Sequence, residues 1–231
     1  MVIKGLQKTT LLDFPEKLAC TVFTAGCNFR CPFCHNASLV LRGGEVEEVP
    51  TEQLFSYLDK RGGVLDGVCI TGGEPLLNCD IEELIVKIRS YGLLVKLDTN
   101  GAYPDRLEAL LDKGLIDYVA MDVKNTDEKY GITVGLPENF DCSDVNRSIE
   151  LIMNRAPDYE FRTTVVRELH TADDLVNIAK KLSGAKRYFI QKYVDSGDII
   201  ESGYSAYTDS EMLELLDKVR SVLPVTVLRG V

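Results

Sequence analysis

Apolar residues fall along this chain in two alternating rhythms. Short runs that are apolar nearly throughout occupy residues 18–24, 67–71, 93–98, 118–123, 160–166, 187–193 and 225–228. Several lack polar alternation, which predicts strands covered on both faces. Between them apolar side chains return every three or four positions, the period of a helix with one buried face. Residues 51–60 carry Leu54, Phe55 and Leu58 on one such face, and residues 143–155 carry Val145, Ile149 and Ile152. Asp80 with Glu83 reads as a capping-box start for a helix reaching residue 90. Pro104 suits the first turn of the next helix, which Gly114 ends. Thr171 with Asp174, and Thr208 with Glu211, open two more.

The strand–helix pair repeats about six times, and that order predicts an α/β fold with a parallel sheet. A full eight-unit barrel takes about 250 residues. The expected fold is therefore an incomplete (β/α)6 TIM-like barrel. No compositional break, low-complexity tract or internal repeat interrupts residues 1–231, so a single domain is expected.

In barrels of this kind the site lies at the C-terminal ends of the strands. Polar sequences gather there: TGGEP at 71–75, DTNG at 98–101, MDVK at 121–124, FRTTVV at 161–166 and IQKY at 190–193. Any one of them reads equally well as a turn. Strand after strand with polar groups at the corresponding end points to a site.

Charge narrows the function classes. Lys and Arg number 26 against 36 Asp and Glu, a net charge of −10. That balance argues against a broad nucleic-acid surface and fits plain solubility. No apolar run approaches the ~18 residues of a membrane span. The opening MVIKGLQKTTLLDFP lacks the apolar core of a signal peptide, so a cytoplasmic protein is expected. In that reducing setting seven cysteines, three of them clustered, point to metal or redox chemistry before disulfides. Cys20 and Cys69 lie in strand-like runs and read as small core residues. Cys79 and Cys142 are scattered, and no role follows for them.

The cluster is AGCNFRCPFCHN, in which Cys27, Cys31 and Cys34 are spaced C-x3-C-x2-C. Three thiolates can hold three irons of a 4Fe–4S cluster. The fourth iron is then free to bind a small molecule, as open zinc sites are. Other readings remain open on spacing alone. Zinc could recruit His35 or a distant cysteine, and Cys31 with Cys34 could be a redox dithiol. Three packed core cysteines are a further option, which Gly26, Asn28 and Arg30 make a poor one.

CNFRCPFC, with Phe33 at an aromatic position before the last cysteine, resembles the signature of the radical S-adenosylmethionine superfamily. Gly72-Gly73-Glu74-Pro75 resembles the same superfamily's second motif. The stretch GLQKTTLLDFPEKLACTVFTAGCNFRCPFCHN is similar to the activating enzymes of glycyl-radical proteins, those of anaerobic ribonucleoside-triphosphate reductase foremost. Asp13, Phe14 and Pro15 match that family's Asp-x-Pro element, while Glu16 stands where such sequences often carry glycine. No cysteine-rich insert precedes GGEP, so a single cluster is expected.

The resemblance implies a division of labour. Cys27, Cys31 and Cys34 would hold the cluster, and S-adenosylmethionine would chelate its open iron through the amino nitrogen and carboxylate. The backbone of Gly72, Gly73 and Glu74 would meet the amino group, since absent side chains allow close approach. Phe33 would pack near the adenine. Asp98, Thr99, Met121 and Asp122, with Asn100 beside them, resemble a monovalent-cation site whose hard oxygens suit a small cation. Lys124 would meet the ligand carboxylate or the substrate backbone. Arg162, a charge in a buried-looking strand, needs a partner, and the resemblance offers the ligand's carboxylate or ribose. Gln191 would read a ligand hydroxyl or adenine edge. His35 is either a donor behind the cluster or a simple loop residue, and Asn36 adjoins it.

The implied reaction is that of an anaerobic oxidoreductase. A reduced cluster passes one electron to the sulfonium, the S–C5′ bond breaks, and the 5′-deoxyadenosyl radical takes hydrogen from a glycine α-carbon of a partner protein. The implied partners are a glycyl-radical enzyme and a flavodoxin- or ferredoxin-like electron donor, with neither nucleic acid nor membrane. Two further readings stay open: a synthase of the same superfamily remodelling a small ring, and a zinc-bound interaction module.

Overall fold

The computed structural model describes residues 2–61 and 63–231. The strands are β1 (Ile3–Thr10), β2 (Ala19–Thr24), β3 (Gly67–Gly72), β4 (Leu94–Thr99), β5 (Tyr118–Asp122), β6 (Tyr159–Val165), β7 (Tyr188–Lys192) and β8 (Thr226–Arg229). The helices are α1 (Ala37–Leu41), α2 (Thr51–Arg61), α3 (Ile81–Arg89), α4 (Pro104–Asp112), α5 (Asp127–Thr133), α6 (Ser143–Arg155), α7 (Ala172–Lys181) and α8 (Asp209–Arg220). One sheet carries the strands in chain order. β1 runs antiparallel to β2, and every later neighbour pair is parallel. β1 and β8 are not paired with each other, so the curved sheet stays open along one side.

The parallel strands lie within a residue or two of the apolar runs, because the inner ones are covered on both faces; the edge strand β8 is not, and its Val227 is exposed. The six expected units correspond to β2–β7, and β8 adds a seventh parallel strand at the edge. β1 has no counterpart among the expected elements. Its sequence IKGLQKTT is half exposed and mixes Lys, Gly and Gln with single apolar residues, so no continuous run marks it. α1 and α5 were also unmarked; α1 is only five residues long, and α5 carries Gly131 and β-branched residues with weak helix preference.

Both threonine capping boxes close as expected, at Thr171 with Asp174 and at Thr208 with Glu211. The one expected at Asp80 does not: α3 begins at Ile81 with no side-chain cap hydrogen bond from Asp80. A 3-10 turn, Pro75–Leu77, delivers the chain to α3.

Alternate strand residues face the hollow of the barrel. Its lower end is filled by a small apolar group of Phe14, Ala19, Tyr118 and Ala120, separate from the main core between sheet and helices. Phe14 enters from the β1–β2 loop, its ring 6.0 Å from that of Tyr118. A turn closed by Lys17 N–H donating to the Phe14 carbonyl at 3.2 Å holds it there. Glu16 sits at that turn with φ 60°, a left-handed conformation glycine adopts freely. That backbone accounts for the glycine carried by similar sequences. Among the described residues no helix is long and apolar enough to cross a membrane.

Candidate active site

The upper end of the barrel opens into a cavity of about 240 Å3. All three clustered cysteines line it, together with the ends of β3–β7. Backbone contacts fix the cysteine loop after β2. Gly26 N–H donates to the Leu39 carbonyl at 3.0 Å, Arg30 N–H to Val134 at 2.8 Å, and Cys34 N–H to Cys31 at 3.0 Å. The β3 end is tied to the same loop, Gly73 N–H donating to Thr24 at 2.9 Å and Glu74 N–H to Gly26 at 2.8 Å. A Cβ at Gly73 would overlap the Gly26 carbonyl, which explains the glycine.

The three sulfurs are free thiols. Burial pushes Cys27 up to about 11 and Cys31 up to about 12, with Lys124 opposing the shift in both. A thiolate in either place needs a positive partner, which iron would supply. Among the described residues no three His, Cys, Asp or Glu side chains converge on one ion. A cubane binds its thiolates on separate irons, and three thiols around one cavity are a donor set that such a cluster can use.

Glu74 does not face the cavity. Its fully buried carboxylate accepts from Leu76 N–H at 3.0 Å, Thr99 Oγ1 at 2.9 Å and Asn100 N–H at 2.7 Å. Burial raises it to about 7 against those donors. Any contact of Glu74 with a ligand would come from its backbone. The Thr99 hydroxyl is likewise committed to Glu74. Asn100 reaches the other way, to Cys27 and Asn28.

A row of alternating charges crosses the hollow and forms the floor of the cavity, which Asp98, Asp122, Lys124 and Arg162 line. Lys96, 2% exposed, pairs with Asp98. Arg162 bridges two carboxylates, Nη1 to Asp98 at 3.2 Å and Nε to Asp122 at 2.8 Å. Lys124 Nζ donates to Asp122 at 3.1 Å. Lower down, Arg229 grips Glu160 at 2.9 and 3.0 Å, and Tyr118 donates to the same carboxylate at 2.9 Å. Burial alone would raise Asp98 and Asp122, but their cations outweigh it and hold both low. Burial alone would lower Lys124, and Asp122 outweighs it. Arg162 thus has protein partners where the resemblance offered a ligand. A monovalent cation would have to share Asp98 and Asp122 with Arg162, Lys96 and Lys124.

Lys124 is also held by its backbone. Its N–H donates to the Tyr130 hydroxyl at 3.4 Å, and its carbonyl lies 2.7 Å from His170 Nε2. His170 Nδ1 accepts from Val166 N–H at 3.1 Å, so Nε2 carries the proton.

The remaining expected residues also line the cavity: Phe33, Gly72, Gly73, Asp98, Asp122 and Gln191. Phe33 meets the Tyr193 ring edge-on at 6.4 Å, and His35 stacks on that ring at 5.6 Å. Asn36 donates to the Gly72 carbonyl at 2.8 Å, joining the cysteine loop to β3 again. Met121 is fully buried in the core. Thr164 and Val40 line the cavity without having been singled out. The period of two along β6, which puts Thr164 on the same side as Arg162, marks Thr164; nothing in the sequence marks Val40.

Comparison with known proteins places this architecture. The family model of the Radical SAM superfamily matches residues 21–179. A protein assigned as a glycyl-radical enzyme activating enzyme in Methanocaldococcus jannaschii is 33% identical over 198 residues, covering 83% of this chain and 80% of its own. The GTP 3′,8-cyclase of Aquifex aeolicus is 26% identical over 234 residues, covering 93% of this chain and 68% of its own. Streptococcus suis SuiB bound to precursor peptide SuiA superposes with a TM-score of 0.71 over 91% of this chain and 48% of that one. At 15% identity that is a likeness of fold alone, and this chain spans about half of that structure. The chain belongs to the Radical SAM superfamily, enzymes that bind a 4Fe–4S cluster and S-adenosylmethionine.

Proposed function

We propose that this enzyme activates a glycyl-radical enzyme, with anaerobic ribonucleoside-triphosphate reductase as the partner and a flavodoxin- or ferredoxin-like protein as electron donor. The observation that carries the reading is the 33% identity with the assigned activating enzyme across 83% of the chain. The resemblance of residues 5–36 to ribonucleotide reductase activases supports the choice of partner. The open side of the sheet, where β1 and β8 do not meet, suits a polypeptide loop as substrate.

Cys27, Cys31 and Cys34 would hold the cluster. When bound, cluster and S-adenosylmethionine supply one-electron cleavage of the sulfonium and a carbon radical able to take hydrogen from a glycine α-carbon. The chain's own residues bind and orient. Gly72 and Gly73 bring main-chain atoms to the cavity with no side chain in the way. The ammonium of Lys124 and the guanidinium of Arg162 give the cavity floor a fixed positive potential for the ligand carboxylate. Asp98 and Asp122 hold those cations in place and need not move when the ligand enters. Phe33 forms an apolar wall for the adenine, and Gln191 offers a polar edge.

The test is anaerobic incubation of cluster-loaded protein with reductant, S-adenosylmethionine and the reductase. Formation of 5′-deoxyadenosine with an electron-paramagnetic glycyl signal on the reductase is expected. Loaded protein that never cleaves S-adenosylmethionine sinks the reading. The coverage of 93% of the chain by similarity to a GTP 3′,8-cyclase favours a second reading, a small-molecule substrate. Cleavage that is stimulated by a purified nucleotide and leaves the reductase without a radical would establish it.

A further inference from the structure

We infer that Asn100 tunes the reduction potential of the cluster through a hydrogen bond to the Cys27 sulfur; this rests on the reading that Cys27, Cys31 and Cys34 hold a 4Fe–4S cluster. Asn100 stands at the end of β4, not on the cysteine loop, and is 7% exposed. Its Nδ2 lies 3.6 Å from Cys27 Sγ and 2.8 Å from Asn28 Oδ1. The orientation of the amide is not free. Its Oδ1 accepts from Ala102 N–H at 3.0 Å, so the donor end must face the cysteine loop. Its backbone N–H is anchored on the buried Glu74 carboxylate at 2.7 Å.

The donors are distributed unevenly. Phe29 N–H also reaches Cys27 Sγ, at 3.4 Å. Among the described residues, hydrogen bonds donated to the sulfurs of the triplet fall on Cys27. An N–H aimed at a cluster thiolate draws negative charge away from it. The reduced cluster carries one more negative charge than the oxidised one, so the bond stabilises the reduced form more and raises the potential. The couple concerned is the one-electron reduction of the cluster, with dithionite as the electron source in a titration.

The test is a reductive titration of cluster-loaded protein without S-adenosylmethionine, followed by electron paramagnetic resonance. Asn100→Ala should have a more negative midpoint than the wild type. Asn100→Asp, equal in shape but presenting a carboxylate oxygen to the sulfur, should be more negative still. Asn28→Ala removes the competing acceptor, so its midpoint should stay level or rise. Asn100 variants with full iron and sulfide content and an unmoved midpoint overturn the inference while leaving the cluster reading intact. A fall in Asn28→Ala as large as in Asn100→Ala also overturns it, since loosening of the loop would then be the cause. Absence of a 4Fe–4S spectrum in the wild type overturns both. A second readout uses 15N in asparagine side-chain amides: pulsed resonance on the reduced wild-type cluster should detect a weakly coupled amide nitrogen that Asn100→Ala loses and Asn28→Ala keeps. A spectrum without that coupling overturns the inference.

Discussion

Glu74 holds three donors with one buried carboxylate, so removing its charge while keeping its shape is informative. In Glu74→Gln the new NH2 group faces at least one of Leu76 N–H, Thr99 Oγ1 and Asn100 N–H, and a buried donor loses its acceptor. A loss of about 1–3 kcal/mol is expected, read as a lower midpoint in urea unfolding above about pH 8, where Glu74 is ionised; an unchanged midpoint there refutes the assignment. His170 gives a pH signature. Burial lowers its pKa in the fold, while the unfolded chain takes up its proton near the ordinary value of about 6.5. Its contribution is therefore complete above that value and is lost as the pH falls toward the folded-state value, at up to ~1.4 kcal/mol per pH unit. Glu74, raised to about 7, acts in the opposite sense over part of this range. The useful quantity is thus the difference between wild type and His170→Gln: the wild type's advantage should shrink from pH 7 to 5. A flat difference counts against a neutral, buried His170. Candidate residues were legible one by one, because Cys, Gly-Gly and strand-end carboxylates are unusual where they stand. Their partners were not. Arg162 lies level with Asp122 in the β5–β6 register, but its contact with Asp98, two strands away, depends on how far the sheet curves. Curvature leaves no mark on residue order.

At the scale of elements, the turn before β2 and the helix starts make separate claims. A non-glycine residue in the left-handed region costs roughly 1–2 kcal/mol, and glycine's extra freedom in the unfolded chain takes back about 0.4–1. Glu16→Gly should therefore stabilise the protein by up to about 1 kcal/mol in chemical denaturation; destabilisation would show that the Glu16 side chain does something its backbone does not reveal. Thr171→Ala should cost about 0.5–2 kcal/mol by opening the capping box of α7. The two threonine boxes could be read from sequence because Ser or Thr followed three residues later by an acid is a local pattern. Asp80 with Glu83 has the same look, yet the Asp80 side chain makes no cap hydrogen bond to the helix it precedes. β1 escaped notice for a related reason. It is an edge strand with one neighbouring strand, and it does not need the apolar content that betrays β3 or β5.

For the whole molecule, binding energy becomes folding energy. If the open iron receives the amino and carboxylate groups of S-adenosylmethionine, the ligand should raise the thermal midpoint of cluster-loaded protein and leave iron-free protein nearly unmoved. At a concentration of about 100 times Kd the added stability is about 2.7 kcal/mol. An equal shift in both forms would mean that the ligand is held without iron. A further consequence follows from the joint between the cysteine loop and the end of β3. Two main-chain hydrogen bonds and a glycine pressed against a carbonyl make that joint. Apart from the Asn36 amide, which also ties the two together, main-chain atoms set the separation, so mutation can exchange most of the cavity's lining while this internal ruler keeps its length. A scaffold built in that way can change its clientele across evolution without relearning how to position its metal.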